Sequence, residues 1–291
     1  MKILGFQKNE YLEPQKRKNN MKRIYSVLAV FLLLCTTVFA QEKTDSIGRA
    51  EEAVQTMKIA SPEDLIARAT IAYEQGNYAQ TIADYESLVS AFGSSPELYY
   101  NLGNAYFKNK EFAKAILNYE RCLIYDPANG DAVANLELAK ANCVDKIESI
   151  QPIIFKQWSD ALSNTMSCDT WSILSIIFFL LFVISIFLYF FVRKVTLRKT
   201  GFYGGMVSII LCFVCNIYAN QQKDRIMNRD YAIVMQPTVT VRSSPAESGT
   251  QLFTIHEGLK VKVRSTLSDW SEVELSDGNV GWLPSKAVEK I

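Results

Sequence analysis

The sequence predicts a multidomain membrane protein: an all-α stack of helical pairs, a two-helix transmembrane hairpin and a small all-β barrel. Three observations predict it. Residues 62–137 repeat with a period of 34. Two uncharged runs, Trp171–Val192 and Gly201–Ala219, are each long enough to cross a bilayer. Residues 231–291 break into short β-rich runs separated by turns. The 291 residues are 49% hydrophobic and 21% charged, a length that allows about two ordinary domains. The apolar surplus lies in the two runs and in Ile24–Ala40. Such segregation excludes both a single soluble globule and a fully disordered chain.

The net charge of +1 averages unlike segments. Residues 1–40 carry seven Lys/Arg against two acids, whereas residues 41–150 carry 10 against 17. Attraction to phosphate backbones needs clustered cations, so nucleic acid is excluded as a partner. At the N-terminus, Met21-Lys22-Arg23 precedes the apolar Ile24–Ala40, which ends Val38-Phe39-Ala40 before polar Gln41. This is an export signal cleaved after Ala40 or a retained anchor. Either form puts residue 41 outside the cytoplasm. Translation starts at Met1 or at Met21, with residues 1–40 read as leader and signal peptide. Bulky Leu34 before Cys35 argues against a lipoprotein site.

Residues 41–60 are a linker or an extra helix, and 61–150 form the helical stack. Pro62 aligns with Pro96, Ile82 with Ile116, Tyr85 with Tyr119 and Glu86 with Glu120. Ser61 and Ser95 each precede Pro-Glu, a helix start with a capping hydroxyl and proline in the first turn. Asp131–Ile150 is read as one long capping helix. In the second unit, Tyr99, Leu102, Gly103, Tyr106, Ala115, Tyr119 and Pro127 follow in order, small Gly103 and Ala115 permitting a close helix crossing. This pattern resembles the tetratricopeptide repeat. In the first unit Arg68 and Ala69 replace its Leu and Gly. The resemblance implies a peptide-binding groove at Tyr100, Asn101, Asn104, Lys108 and Asn135. Asn amides can both donate to and accept from a peptide backbone. Cys122 and Cys143 are read as packing between helices rather than as a disulfide.

Pro152 is expected to open a helix in which Ile154, Trp158, Ala161, Leu162 and Met166 lie opposite Gln157, Asp160 and Asn164. Residues 151–170 are therefore read as an interfacial amphipathic helix or as a linker helix packed on the soluble domain. The runs 171–192 and 201–219 span about 33 and 28 Å as helices. The intervening 193–200 holds Arg193, Lys194, Arg198 and Lys199 and is expected to stay cytoplasmic. With an export signal upstream, both flanking domains lie outside. In the second run Gly201, Gly205, Ser208, Cys212, Cys215 and Ala219 make one small-residue helix face, suited to close packing on the first span or on a partner's span. Asn216 is expected to hydrogen-bond across that interface. The Cys212/Cys215 pair matches CxxC, yet packing explains it better than redox chemistry, since lipid lacks the polar setting that lowers a thiol pKa.

After a linker at 220–230, residues 231–291 hold five runs: Thr238–Arg242, Gln251–His256, Leu259–Arg264, Trp270–Leu275 and Val280–Leu283. Ser276-Asp277-Gly278-Asn279 is a hairpin signal. Thr240-Val241-Arg242-Ser243-Ser244-Pro245, Glu257–Val263, Trp270-Ser271-Glu272-Val273 and Gly281-Trp282-Leu283 resemble bacterial SH3-like domains. The resemblance implies a ligand surface at Arg242, Trp270 and Trp282, for cell-wall peptides or protein segments. No HExxH, phosphate loop, dinucleotide fingerprint or nucleophile elbow is present, and His256 is the sole histidine. The chain is expected to be no enzyme and to hold no metal or cofactor.

The order of these segments resembles the tetratricopeptide/SH3 member of the Bat aerotolerance family of bacterial membrane proteins. That resemblance implies an inner-membrane scaffold with both soluble domains periplasmic. It implies von Willebrand A-type membrane partners and a MoxR-type ATPase system. Peptidoglycan sensing through the barrel and thiol redox chemistry are the rival readings.

Overall fold

A computed structural model describes residues 61–147 and 154–291. The readings placed on Met21, Ile24–Ala40, Cys35, residues 41–60 and Pro152 fall outside them. Helices α1 (Pro62–Glu74) and α2 (Tyr78–Phe92) form one antiparallel pair. Helices α3 (Pro96–Lys108) and α4 (Phe112–Tyr125) form the next. The side-chain oxygens of Ser61, Asn77 and Ser95 accept from Asp64, Gln80 and Leu98 N–H groups, which fixes three of the starts. Leu88, Leu102, Ile116 and Tyr119 are all buried, and α2 meets α3 where the Tyr106 hydroxyl donates to the Glu86 carboxylate. A Cβ on Gly103 would come 2.7 Å from the Tyr119 ring. Glycine there lets α3 and α4 approach.

Helix α5 (Gly130–Ala141) covers one side of this stack. It is shorter than the expected 131–150 helix, because Asn142 ends it and its amide bonds back to Ala139 and Lys140 carbonyls. Arg68, which replaces the repeat's usual leucine, bridges to the Asp84 carboxylate on α2, with Nε at 2.8 Å. Gln80 also donates to Asp84 at 2.8 Å. Arg68's hydrogen bond, against a smaller opposing effect of burial, holds the Asp84 carboxyl below the usual carboxylate range.

Helix α6 (Ile154–Ser163) leads to α7 (Cys168–Phe191) and α8 (Val195–Met227). Both α7 and α8 are long and apolar enough to cross a membrane. The sequence reading needs two corrections here. Residues 195–200 are helical, so only 192–194 turn the chain. Residues 220–227 are helical too, so α8 runs about 50 Å without a break. Neither stretch contains Pro or Gly, and Leu197, Arg198, Gln221 and Lys223 are good helix formers.

The C-terminal region is a seven-stranded antiparallel sheet, ordered β3-β2-β6-β5-β4-β1-β7. Its strands are β1 (Tyr231–Val234), β2 (Thr238–Arg242), β3 (Gln251–His256), β4 (Lys260–Leu267), β5 (Trp270–Glu274), β6 (Val280–Pro284) and β7 (Val288–Lys290). It curls around Val234, Val241, Ile255, Val261, Val273 and Leu283. Strands β1 and β7 escaped the sequence reading. β1 lacks alternation because Ala232 and Val234 face the sheet core while Ile233 is buried on the other side, where β1 meets α4. β7 is only three residues long.

The helical stack and the sheet are joined. Asp145, just past α5, accepts from the His256 backbone N–H at 2.6 Å and pairs with the His256 ring at 2.8 Å. Glu120 of α4 holds Lys260 of β4 at 2.6 Å. Arg121 reaches Glu289 at 2.9 Å and the Lys290 carbonyl at 2.7 Å. Ile147 packs against the sheet's core. Gly258 turns between β3 and β4 at φ +87°, and a Cβ there would overlap Cys143 Sγ.

Two outcomes are expected. Arg68→Ala should lower the midpoint of urea unfolding only modestly, the exposed guanidinium limiting the loss. Since Asp84's folded pKa is depressed, the wild-type contribution is present above pH ~4 and is lost as pH falls below it; the variant should show a weaker acid dependence. Gly258→Ala should cost about 1–3 kcal/mol through its left-handed backbone and the clash with Cys143, lowering the unfolding midpoint of the intact protein.

Candidate functional site

Three surfaces carry the residues singled out by the sequence. On the helical stack, the α3–α5 side brings Tyr100, Asn104 and Asn135 together. The Tyr119 hydroxyl, from a fully buried ring, donates to Asn104 Oδ1 at 2.7 Å. Asn135 Nδ2 donates to the same oxygen at 2.9 Å and contacts the Tyr100 hydroxyl at 3.4 Å. Burial raises the Tyr119 pKa well above the ordinary phenol range, so the hydroxyl stays a donor. Asn104's amide nitrogen and Asn135's carbonyl oxygen have no hydrogen-bond partner among the described residues. One free donor and one free acceptor are what an extended peptide backbone can pair with. Asn101 is half-buried without a side-chain hydrogen bond among the described residues, and Lys108 is exposed in the last turn of α3.

On the sheet, Trp270 and Trp282 are half-buried on the outer face rather than in the core. The register sets Arg242 beside Trp282, and Trp270 beside Pro284. Arg242, Trp270, Pro284, Val239 and Glu247 line a cleft of about 370 Å³. The Arg242 guanidinium donates to the Gly249 carbonyl at 2.9 Å and has no carboxylate partner among the described residues. An aromatic floor beside a guanidinium that makes no ion pair among the described residues, although Glu247 lines the same cleft, can receive a carboxylate-bearing chain. The seam between stack and sheet encloses a larger cleft, about 760 Å³, lined by Lys140, Lys146, Lys262, Tyr231, Leu259 and Leu275. No single segment marks it, because its walls come from stretches far apart in the chain.

Between α7 and α8, the small-residue face of α8 meets α7. A Cβ on Gly201 would come 3.0 Å from the Ser185 carbonyl oxygen, and one on Gly205 3.2 Å from Ser185 Cβ. Ser175 Oγ contacts Cys212 at its carbonyl (3.4 Å) and sulfur (3.5 Å). Cys215 and Ala219 cluster with Trp171, and Ser208 is half-buried. Asn216, expected at this interface, is exposed instead. At ~100° per residue it falls on the flank of the stripe. Cys122, Cys143, Cys168, Cys212 and Cys215 are free thiols. Burial pushes the Cys122 thiol up to about 12, and lifts Cys143 as well, which keeps both protonated and unreactive at neutral pH.

Residues 96–129 match the tetratricopeptide repeat family, and residues 237–289 match the bacterial SH3 domain family. The chain carries a tetratricopeptide repeat and a bacterial SH3 domain. Both modules point to binding of protein or peptidoglycan. No curated protein matches the chain. The tetratricopeptide match covers α3 and α4; the pair α1 and α2 extends the stack, with Ser61 capping α1 as Ser95 caps α3 and with the divergent Arg68.

Asn104→Ala should leave the buried Tyr119 hydroxyl without its acceptor and cost about 1–3 kcal/mol of stability. Asn101→Ala and Lys108→Ala should change stability by less than ~0.5 kcal/mol. Thermal unfolding of the three variants separates the structural amide from the two positions free to serve recognition.

Proposed function

We propose that this chain is a non-enzymatic scaffold of a bacterial plasma membrane, a BatE-like member of the Bat aerotolerance family. On this reading α7 and α8 cross the bilayer, the basic turn around Arg193 and Lys194 is cytoplasmic, and both modules are periplasmic. The partners are von Willebrand A-type membrane proteins working with a MoxR-type ATPase. No cofactor or metal takes part. One observation carries the reading: the helical stack and the SH3 domain are hydrogen-bonded to each other through Asp145–His256 and Glu120–Lys260. Modules in direct contact share one side of any membrane that α7 and α8 cross. They also act as one bipartite surface rather than as two tethered arms.

A cell-wall reading is favoured by the Arg242–Trp270 cleft, whose unpaired guanidinium suits the carboxylates of wall peptides. Three measurements test these readings. Periplasm-specific reporters fused after residues 150, 196 and 291 should be active, silent and active; activity at 196 would overturn the topology. Affinity capture from cross-linked membranes should recover von Willebrand A-type proteins with the wild type and lose them several-fold with Asn101→Ala/Lys108→Ala. Retention on purified sacculi that disappears with Trp270→Ala, with no protein partner captured, would overturn the scaffold in favour of the wall sensor.

A further inference from the structure

Helix α6 has two unlike faces, one polar and one apolar and exposed. Its polar face is latched to α8. The Asp160 carboxylate accepts from Gln221 at 3.2 Å and from Arg225 at 3.3 Å. Arg225 also donates to the Asn164 side-chain oxygen at 2.5 Å. The Ser163 carbonyl accepts from Gln222 at 2.8 Å and from the Trp171 indole at 3.1 Å. Gln222 and Ser163 are buried polar groups with these bonds satisfied, so the latch is a packed junction rather than a surface contact. The opposite face presents Ile154, Trp158 and Leu162, one helical turn apart, at 61%, 69% and 48% exposure, and Met166 continues it.

The latch sets the height of α6. Trp171 and Tyr218 pack with ring centroids 5.1 Å apart and planes tilted by 41° at the end of the α7–α8 hairpin, the level at which aromatic side chains mark a membrane boundary. Gln221, Gln222 and Arg225 lie within two turns above Tyr218, about 10 Å along the axis. This is the depth of the headgroup region. A helix held there with three large apolar side chains outward, and with Lys156 and Lys223 exposed beside it, matches the chemistry of a lipid surface.

We propose that α6 lies on the membrane, with Ile154, Trp158 and Leu162 sunk at the boundary between headgroups and acyl chains of the bilayer that α7 and α8 cross. The inference rests on the reading of α7 and α8 as spans. Since the same latch grips α8 just before the chain enters β1, the membrane contact of α6 also fixes how the stalk carrying the SH3 domain leaves the surface.

The test places a photoreactive benzophenone amino acid, singly, at positions 158, 162, 187 and 252 of the full chain in phosphatidylethanolamine/phosphatidylglycerol nanodiscs. Adducts are read by mass spectrometry. Phe187 is exposed on α7 and Leu252 is exposed on the SH3 domain. Lipid adducts at 158 and 162, at yields within about threefold of those at 187 and at least tenfold above those at 252, are expected. Lipid adducts at 187 without any at 158 or 162, or protein adducts alone at those two positions, would overturn the membrane contact of α6. Absence of lipid adducts at 187 would overturn the spans themselves.

Discussion

Asp145 and His256 stand 111 residues apart in sequence, yet the carboxylate caps the His256 amide and holds its ring. Between them lie the amphipathic helix and the whole hairpin. Their contact is possible because α7 and α8 run antiparallel and return the chain to the level from which it left. The stack and the SH3 domain are then drawn together by a small set of charged and apolar contacts: Glu120 to Lys260, Arg121 to the β7 edge, and Ile147 against the sheet core. Among the described residues the helical array holds two pairs and one capping helix, and the end faces of such arrays need covering. Part of that cover comes from the sheet, as Gly258 lies against Cys143 and Ile116.

The hairpin satisfies a second constraint. Hydrocarbon gives helices no hydrophobic reason to associate, so close packing must hold them. Gly201 and Gly205 let α8 approach the α7 backbone near Ser185, and Cys215 and Ala219 do the same near Trp171. Thiols serve here as small side chains. The extension of α8 beyond the apolar run gives the latch its partners, Gln221, Gln222 and Arg225. Secondary structure therefore continues from the apolar run of α8 almost to the first strand of the SH3 domain.

Much of this was legible in the sequence. The 34-residue period gave the helical pairs, uncharged length gave the hairpin helices, and turn residues gave five of the seven strands. Local patterns carried each of these. The reading lost what depends on tertiary contact. Strand β1 lacks alternation because both of its faces are covered. The helical ends of α8 carry charge and so looked like loop and linker. Asn104 and Asn135 were visible as candidate groove residues, but their mutual bond and the support from Tyr119 were not. The seam left no mark on any single segment, since its partners come from α4, the end of α5, β3, β4 and β7.

The seam is also where the account is most directly exposed to measurement. Hydrogen exchange on the intact protein in nanodiscs reads the His256 amide, which donates to the Asp145 carboxylate at 2.6 Å. The account predicts slow exchange in the wild type and acceleration by at least tenfold in Asp145→Ala, with protection elsewhere in the sheet retained. Exchange of that amide at the rate of an open turn in the wild type, unaltered by the substitution, would contradict it.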